Sequence, residues 1–270
     1  AKLLTGLAFG GGGMVILLLA APWLWKRDPL LVSLGVLVVL GALGLALGKV
    51  GAFKFVDDGG VRWWFWIQAM LFVAGGLSAI LLAAGDWWRH KTALSALLFA
   101  WVAGVFLFAT AINWTVSGRH ILPMLPAVAL LVVRRLDLRF PQRGRSYVPQ
   151  LWLPLGSSLV LALLVAWGDY RLAASAREAA SLIKQQFSST TGRVWFEGHW
   201  GFQYYMEKNG AKPANREDLH FLQNDVVVVP LGNSYLFPLP EDRVSVGNAF
   251  ECATSKWVAT MNGQVGAGYY

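Results

Sequence analysis

Residues 63–85, WWFWIQAMLFVAGGLSAILLAAG, decide the fold. The stretch carries no charge, and it exceeds the about 20 residues that a helix rising 1.5 Å per residue needs to cross about 30 Å of hydrocarbon. Trp63, Trp64 and Trp66 open it and Trp87 and Trp88 follow it, where amphipathic rings sit at the two water–lipid boundaries. One Lys, Arg or Asp near its centre would cost roughly 2.5 to 3.5 kcal/mol, so its freedom from charge is informative. Working outward, residues 3–25, 30–48 and 92–116 share the length and the uncharged interior. Residues 121–133 are shorter and hold Pro123 and Pro126, so this span either starts earlier, near Ser117, or packs as a bent, partly buried helix. Residues 148–167, with Pro149 and Pro154 assigned to the first turns, complete six spans.

Composition agrees. Of 270 residues, 56% are hydrophobic and 14% charged, against about 25% charged in soluble domains, which excludes an ordinary water-soluble globular protein. The lone cysteine, Cys252, excludes an intrachain disulfide framework and a Cys-cluster metal site. The net charge of +8 resolves into +9 for residues 1–168 and −1 for residues 169–270. The polar part therefore has no basic groove, and no nucleic-acid partner is expected.

Orientation follows from the positive loops. The first, third and fifth connections carry Lys26, Arg27, Arg89, Lys91, Arg134, Arg135, Arg139, Arg143 and Arg145, and the second and fourth carry Lys49, Lys54, Arg62 and Arg119. The odd loops are thus expected in the cytoplasm and both ends of the chain outside, as in a later part of a longer polypeptide. Ten tryptophans, Trp114, Trp152 and Trp167 among them, mark span ends.

After Trp167 the composition changes. Residues 169–190 read as an amphipathic connecting helix with Leu172, Ala176, Ala179, Ala180, Ile183 and Phe187 on one face. Residues 191–270 read as a small extracytoplasmic α/β domain: a strand over 193–197, a helix over 199–208 closed by Asn209-Gly210, and a fully buried inner strand over 226–229 stopped by Pro230. Residues 244–246 and 256–261 are weaker strand candidates.

Chemistry is sought first at the outer membrane surface. The fourth connection places Arg119 and His120 just before the proline-rich span. An Arg there can hold a phosphate by paired N–H donors, with His adding a hydrogen bond or a proton; the plainer reading is a snorkelling anchor. Glu197 and His199 flank Gly198 at a strand-to-helix junction, with helix capping or docking as the plainer alternative. Asp57-Asp58, followed by two glycines, reads as a turn. Gly10 to Gly13 lie inside a span and suit close helix packing. Asp28 and His90 fall in loops assigned to the cytoplasm, His220 stands in a polar stretch, and no zinc-ligand spacing appears.

Residues 117–127, SGRHILPMLPA, resemble the Arg-aromatic-x-Leu-Pro-x-x-Pro signature of polyprenyl-phosphate-sugar-dependent membrane glycosyltransferases, family 39 and its protein-mannosyl and lipid A aminoarabinosyl relatives. His120 stands where an aromatic is usual. Residues 194–207 and 224–229 are similar to the external C-terminal domain of bacterial members. The resemblance implies a bacterial inner-membrane enzyme that transfers a sugar from a polyprenyl-phosphate donor to a lipid, glycan or protein acceptor on the outer face. It implies about thirteen spans, of which this chain would be the last six plus the tail, and a catalytic Asp in a first external loop outside this chain. No cofactor is evident, and a divalent metal is left open. The competing class is a non-catalytic membrane scaffold, or a transporter, that presents an external binding domain; transporters usually carry ionisable groups within spans, which the long spans here lack.

Overall fold

The computed structural model describes residues 2–50, 53–57, 59–113, 116–140, 148–216, 220–231, 233, 236–239, 244–252, 254–255, 258, 261–262 and 267–268. Asp58, Trp114, Arg143, Arg145 and most of 256–261 lie outside the described residues. The chain is mostly helical and divides into two compact units, Ala1–Ala162 with Met261–Tyr270, and Leu163–Thr260.

In the first unit, residues 3–25 do not form one helix. They break into α1 (Lys2–Gly13), α2 (Ile16–Leu19) and α3 (Ala21–Leu24). Consecutive glycines lower helix propensity, and Pro22 has no N–H to donate; tight bonds from Leu17 N to Met14 O (2.9 Å) and from Trp23 N to Ala20 O (2.9 Å) mark the breaks. Next come α4 (Arg27–Ala46) and two antiparallel hairpins, β1 (Lys49–Val50) with β2 (Phe53–Lys54) and β3 (Val56–Asp57) with β4 (Gly60–Val61). Asp57 pairs with Gly60, as a turn requires. Then follow α5 (Trp63–His90) and α6 (Ala93–Leu107), the latter continuing as a π-helical turn over Phe108–Ile112. Among the described residues three helical stretches are long and apolar enough to cross a membrane: Trp63–His90, Ala93–Ile112 and Leu151–Gln186.

The short fifth segment starts early and is also bent. It comprises α7 (Gly118–Ile121), a 3-10 turn over Leu122–Met124 and α8 (Leu125–Arg139). Last in sequence, α9 (Val148–Gln186) runs unbroken through residues read as a sixth span and a separate connecting helix. Pro154 lies inside it rather than in its first turn.

The glycines of α1 do bring helices together. A Cβ on Gly76 would collide with the Leu7 carbonyl, one on Gly11 with the Phe72 carbonyl, and one on Gly75 would stand 2.9 Å from Gly11 Cα. Around this contact Leu17, Leu24, Leu98, Met124 and Leu131 are buried.

The second unit holds β5 (Val194–Phe196), α10 (Trp200–Lys208), β6 (Lys212–Pro213) and β7 (Val226–Val228), with the strands parallel in the order β6-β5-β7. Its core joins Ala180 and Ile183 of α9 to Phe196, Phe202 and Met206, bearing out the apolar face read from the sequence. The 226–229 strand is half-buried and lies at an edge, not inside the sheet: β5 is central and Val229 is exposed. Four β-branched residues favour extended backbone, but their pattern does not say which strand is flanked on both sides. Residues 244–246 form no strand, and Val246 is fully exposed. The hairpin β8 (Met261–Asn262) with β9 (Ala267–Gly268) closes the described chain.

Candidate functional site

The Arg119–His120 region is assembled by irregular backbone. At the end of the π turn, Asn113 N donates to Phe108 O (2.8 Å), which presents the Asn113 side chain toward α7. Asn113 Nδ2 lies 3.0 Å from His120 Nδ1, and Ser117 Oγ lies 2.9 Å from the same nitrogen. With the amide as placed, both neighbours donate, so Nδ1 accepts and the proton sits on Nε2. The two contacts fix the orientation of the His120 ring and leave Nε2 directed away from them. Lys2 Nζ donates to the Asn113 carbonyl (3.0 Å), adding a second cation to this edge. Trp101 Nε1 donates to Pro123 O (3.0 Å) and pins the bent segment that follows.

Arg119 is exposed, and among the described residues no polar partner engages it. A one-turn helix followed by a 3-10 turn turns Gly118 and Ile121 inward and leaves Arg119 outside. Lys2, Asn113 and Ser117 escape motif reasoning. Lys2 is 111 residues from its acceptor, and Asn113 becomes an orienting group only because a π turn precedes it.

Glu197 and His199 take different partners. The Glu197 backbone N donates to Val228 O (3.0 Å), extending the β5–β7 pairing, while its side chain is buried. Phe237 N donates to Oε2 (3.2 Å), and Oε1 meets no partner among the described residues. Burial pushes the carboxyl above its ordinary value, and the Phe237 bond pulls it partly back. Gly198 turns the chain at φ +88, and a Cβ there would stand 2.7 Å from Pro230 Cγ. His199 occupies the N-cap position of α10, yet its side chain does not cap. Instead His199 Nδ1 lies 3.1 Å from Gln203 Oε1, and Gln203 Nε2 donates to Glu207 Oε1 (2.8 Å). Asn233 grips the His199 backbone from both sides, accepting from N (3.2 Å) and donating to O (3.3 Å).

A further polar centre joins α5 to α8 within the first unit. Asp86 in α5 is 3.2 Å from Arg134 Nη2 of α8 and 3.2 Å from His90 Nδ1. Arg134 Nη2 also donates to Ser95 Oγ (3.1 Å), Arg135 Nε to Leu24 O (2.9 Å) and Arg139 Nη1 to Trp25 O. Basic residues read from the sequence as loop charges therefore close the carbonyl end of α3. Among the described residues no three His, Cys, Asp or Glu side chains are grouped to hold a metal ion. No family model matches the chain, and no curated protein and no solved structure matches it.

Proposed function

We propose that this chain is a membrane-embedded part of a glycosyltransferase that uses a polyprenyl-phosphate-linked sugar at the outer face of a bacterial inner membrane, with six spans and an external C-terminal domain. The observation that carries the reading is Arg119, a cation with no polar partner among the described residues, beside an oriented His120 at the start of a proline-bent helix. In this reading Arg119 grips the lipid phosphate, and the Nε2–H of His120 supplies a further donor as negative charge develops on the leaving group. The base that activates the acceptor comes from outside this chain. The topology is supported by the association of residues from the first, third and fifth connections, Trp25 with Arg139 and His90 with Asp86 and Arg134.

The test is binding of undecaprenyl phosphate, against undecaprenol as the uncharged control, to the 270-residue chain in detergent micelles. Arg119→Ala should weaken phosphate-dependent binding about tenfold or more, and Arg119→Lys less, because Lys keeps the charge without the two-pronged donor. Equal binding of phosphate and alcohol, or Arg119→Ala within about threefold of the unmodified chain, would reduce Arg119 to an interfacial anchor.

A further inference from the structure

Helix α10 has two faces of different use. Phe202 and Met206 turn into the tail's core, whereas Trp200 and Tyr204 are 78% and 59% exposed. The two aromatics stand at i and i+4, one turn and about 6 Å apart along the axis. Trp200 also has φ +66, a left-handed backbone that bulky residues rarely adopt, and burial of its ring does not offset that strain. A large ring held in water at a conformational cost points to a contact that the ring makes with something else.

A polar row runs along α10 at the same spacing. His199 Nδ1 lies against Gln203 Oε1, and Gln203 Nε2 donates to Glu207 Oε1, so the amide is held from both sides. Glu207 Oε2, the Tyr204 hydroxyl and the Lys208 ammonium meet no polar partner among the described residues, and all three side chains are exposed. One anionic acceptor and one cationic donor leave this edge without net charge. That pattern selects the occupant: a neutral ligand whose groups both donate and accept satisfies Glu207 and Lys208 together, and an apolar face on the same ligand covers the rings. A saccharide has both, with C–H groups on the face of each pyranose ring and hydroxyls at its edge. A cation meets Lys208 beside the rings, and a nucleic acid meets Glu207 on a tail of net charge −1. Lipid is too far away. Asn209, at the end of α10, donates to Ala180 O (2.9 Å), and Ala180 lies about 20 Å along α9 beyond Trp167, where Asp169 and Arg171 end the apolar run.

We propose that Trp200 and Tyr204 form the stacking surface of a binding site for a neutral oligosaccharide, with Gln203, Glu207 and Lys208 bonding its hydroxyls. The spacing of the rings suits successive sugar units, so a chain of two or more binds better than a single sugar. The site goes beyond the sugar-lipid reading and does not rest on it: it lies in the second unit and shares no residue with the Arg119 region.

The experiment presents the 270-residue chain, in dodecylphosphocholine micelles that carry no sugar headgroup, to immobilised neutral oligosaccharides of hexoses and N-acetylhexosamines, with lysine-rich and proline-rich peptides as the other surfaces. Retention on neutral oligosaccharide is expected, released by the same oligosaccharide in solution and less readily by its monosaccharide. Trp200→Gly and Tyr204→Ala should each weaken retention about tenfold, as truncation of a contact aromatic does. Glycine accepts the left-handed backbone, so Trp200→Gly should keep the tail's protease resistance close to that of the unmodified chain, which separates a lost contact from a lost fold. Arg119→Ala should leave retention intact, which separates failure of this site from failure of the sugar-lipid reading. No retention on any neutral oligosaccharide, retention unchanged in both aromatic variants, or Trp200-dependent retention on either peptide instead would each overturn the proposal.

Discussion

The two units solve the packing problem in opposite ways. In the first, α1 meets α5 through Gly11, Gly75 and Gly76, and backbone approaches backbone with no room for a methyl group. In the second, Phe196, Phe202, Met206 and Ile183 fill the space between sheet and helices, with the Phe196 and Phe202 rings edge-to-face at 6.2 Å. In the membrane placement proposed above, the contrast follows from solvent. Hydrocarbon gives no hydrophobic reward for burying a leucine between helices, so close approach and dispersion must hold them. Water rewards the removal of each large apolar side chain by roughly 1.5 to 3 kcal/mol, so a small domain spends its interior on aromatics and methionine. Buried carboxylates also differ: Asp86 in the first unit is ion-paired with Arg134, whereas among the described residues the Glu197 side chain in the second has the Phe237 N–H as its partner.

Three substitutions bear on this comparison. The largest effect is expected from Phe196→Ala, which empties the centre of the tail's core at a cost of about 3 to 5 kcal/mol. Limited proteolysis of the whole chain should then cut within 163–260 while the helical unit stays resistant. Equal loss in both units would mean that they do not unfold separately. Gly76→Val comes next, at about 1 to 3 kcal/mol, because its side chain meets the Leu7 carbonyl, which cannot swing aside as a side-chain end could. A lower melting temperature in detergent is the readout, and a tolerated valine would show that α1 does not rest on α5 as described.

The smallest effect concerns the tail's carboxylates, which have opposite signs. Glu197 is held above its ordinary value by burial, so the folded tail binds that proton more tightly than the unfolded chain. Its contribution therefore improves as pH falls through the folded pKa and levels off below the unfolded value of about 4.3. Asp225 is held below its ordinary value, first by the Leu222 N–H and then by the Arg193 N–H, so its contribution is present above about pH 3.9 and lost as pH falls through the lower, folded pKa. Glu197→Gln should stabilise the tail at neutral pH by under about 1 kcal/mol, the gain being limited because the new amide is itself unpaired. It should also flatten the rise in protease resistance as pH falls toward the unfolded value. An unchanged pH profile would show that Glu197 is not the group responsible.

Much of the architecture was legible from composition and period. An uncharged run such as 63–85 can only be a helix in apolar surroundings, because every backbone group must bond within its own segment. The face carrying Ala180 and Ile183 repeats at helical spacing and is buried as that spacing demands. The helix 200–208 and its Gly210 stop follow from capping chemistry, with Gly210 at φ +88. These readings depend on neighbours within a few residues, where steric and hydrogen-bonding rules act directly.

What needed the tertiary structure depends on partners far apart in sequence. That β5 rather than β7 is the central strand is decided by Lys212–Pro213 pairing on its far side. That α1 can close on α5 backbone to backbone depends on α5 offering Gly75 and Gly76 to it. Arg134, Arg135 and Arg139 read alike as positive loop charges. Only the fold gives the first to Asp86 and the other two to the carbonyls of Leu24 and Trp25. The Arg119–His120 motif shows the same division. Its residue types suit the phosphate chemistry proposed for it, but the outward direction of Arg119 and the orientation of the His120 ring come from a π turn and from Asn113 and Ser117. A side chain's chemistry belongs to the sequence. Which of its atoms remain free is fixed when distant groups converge and claim the others.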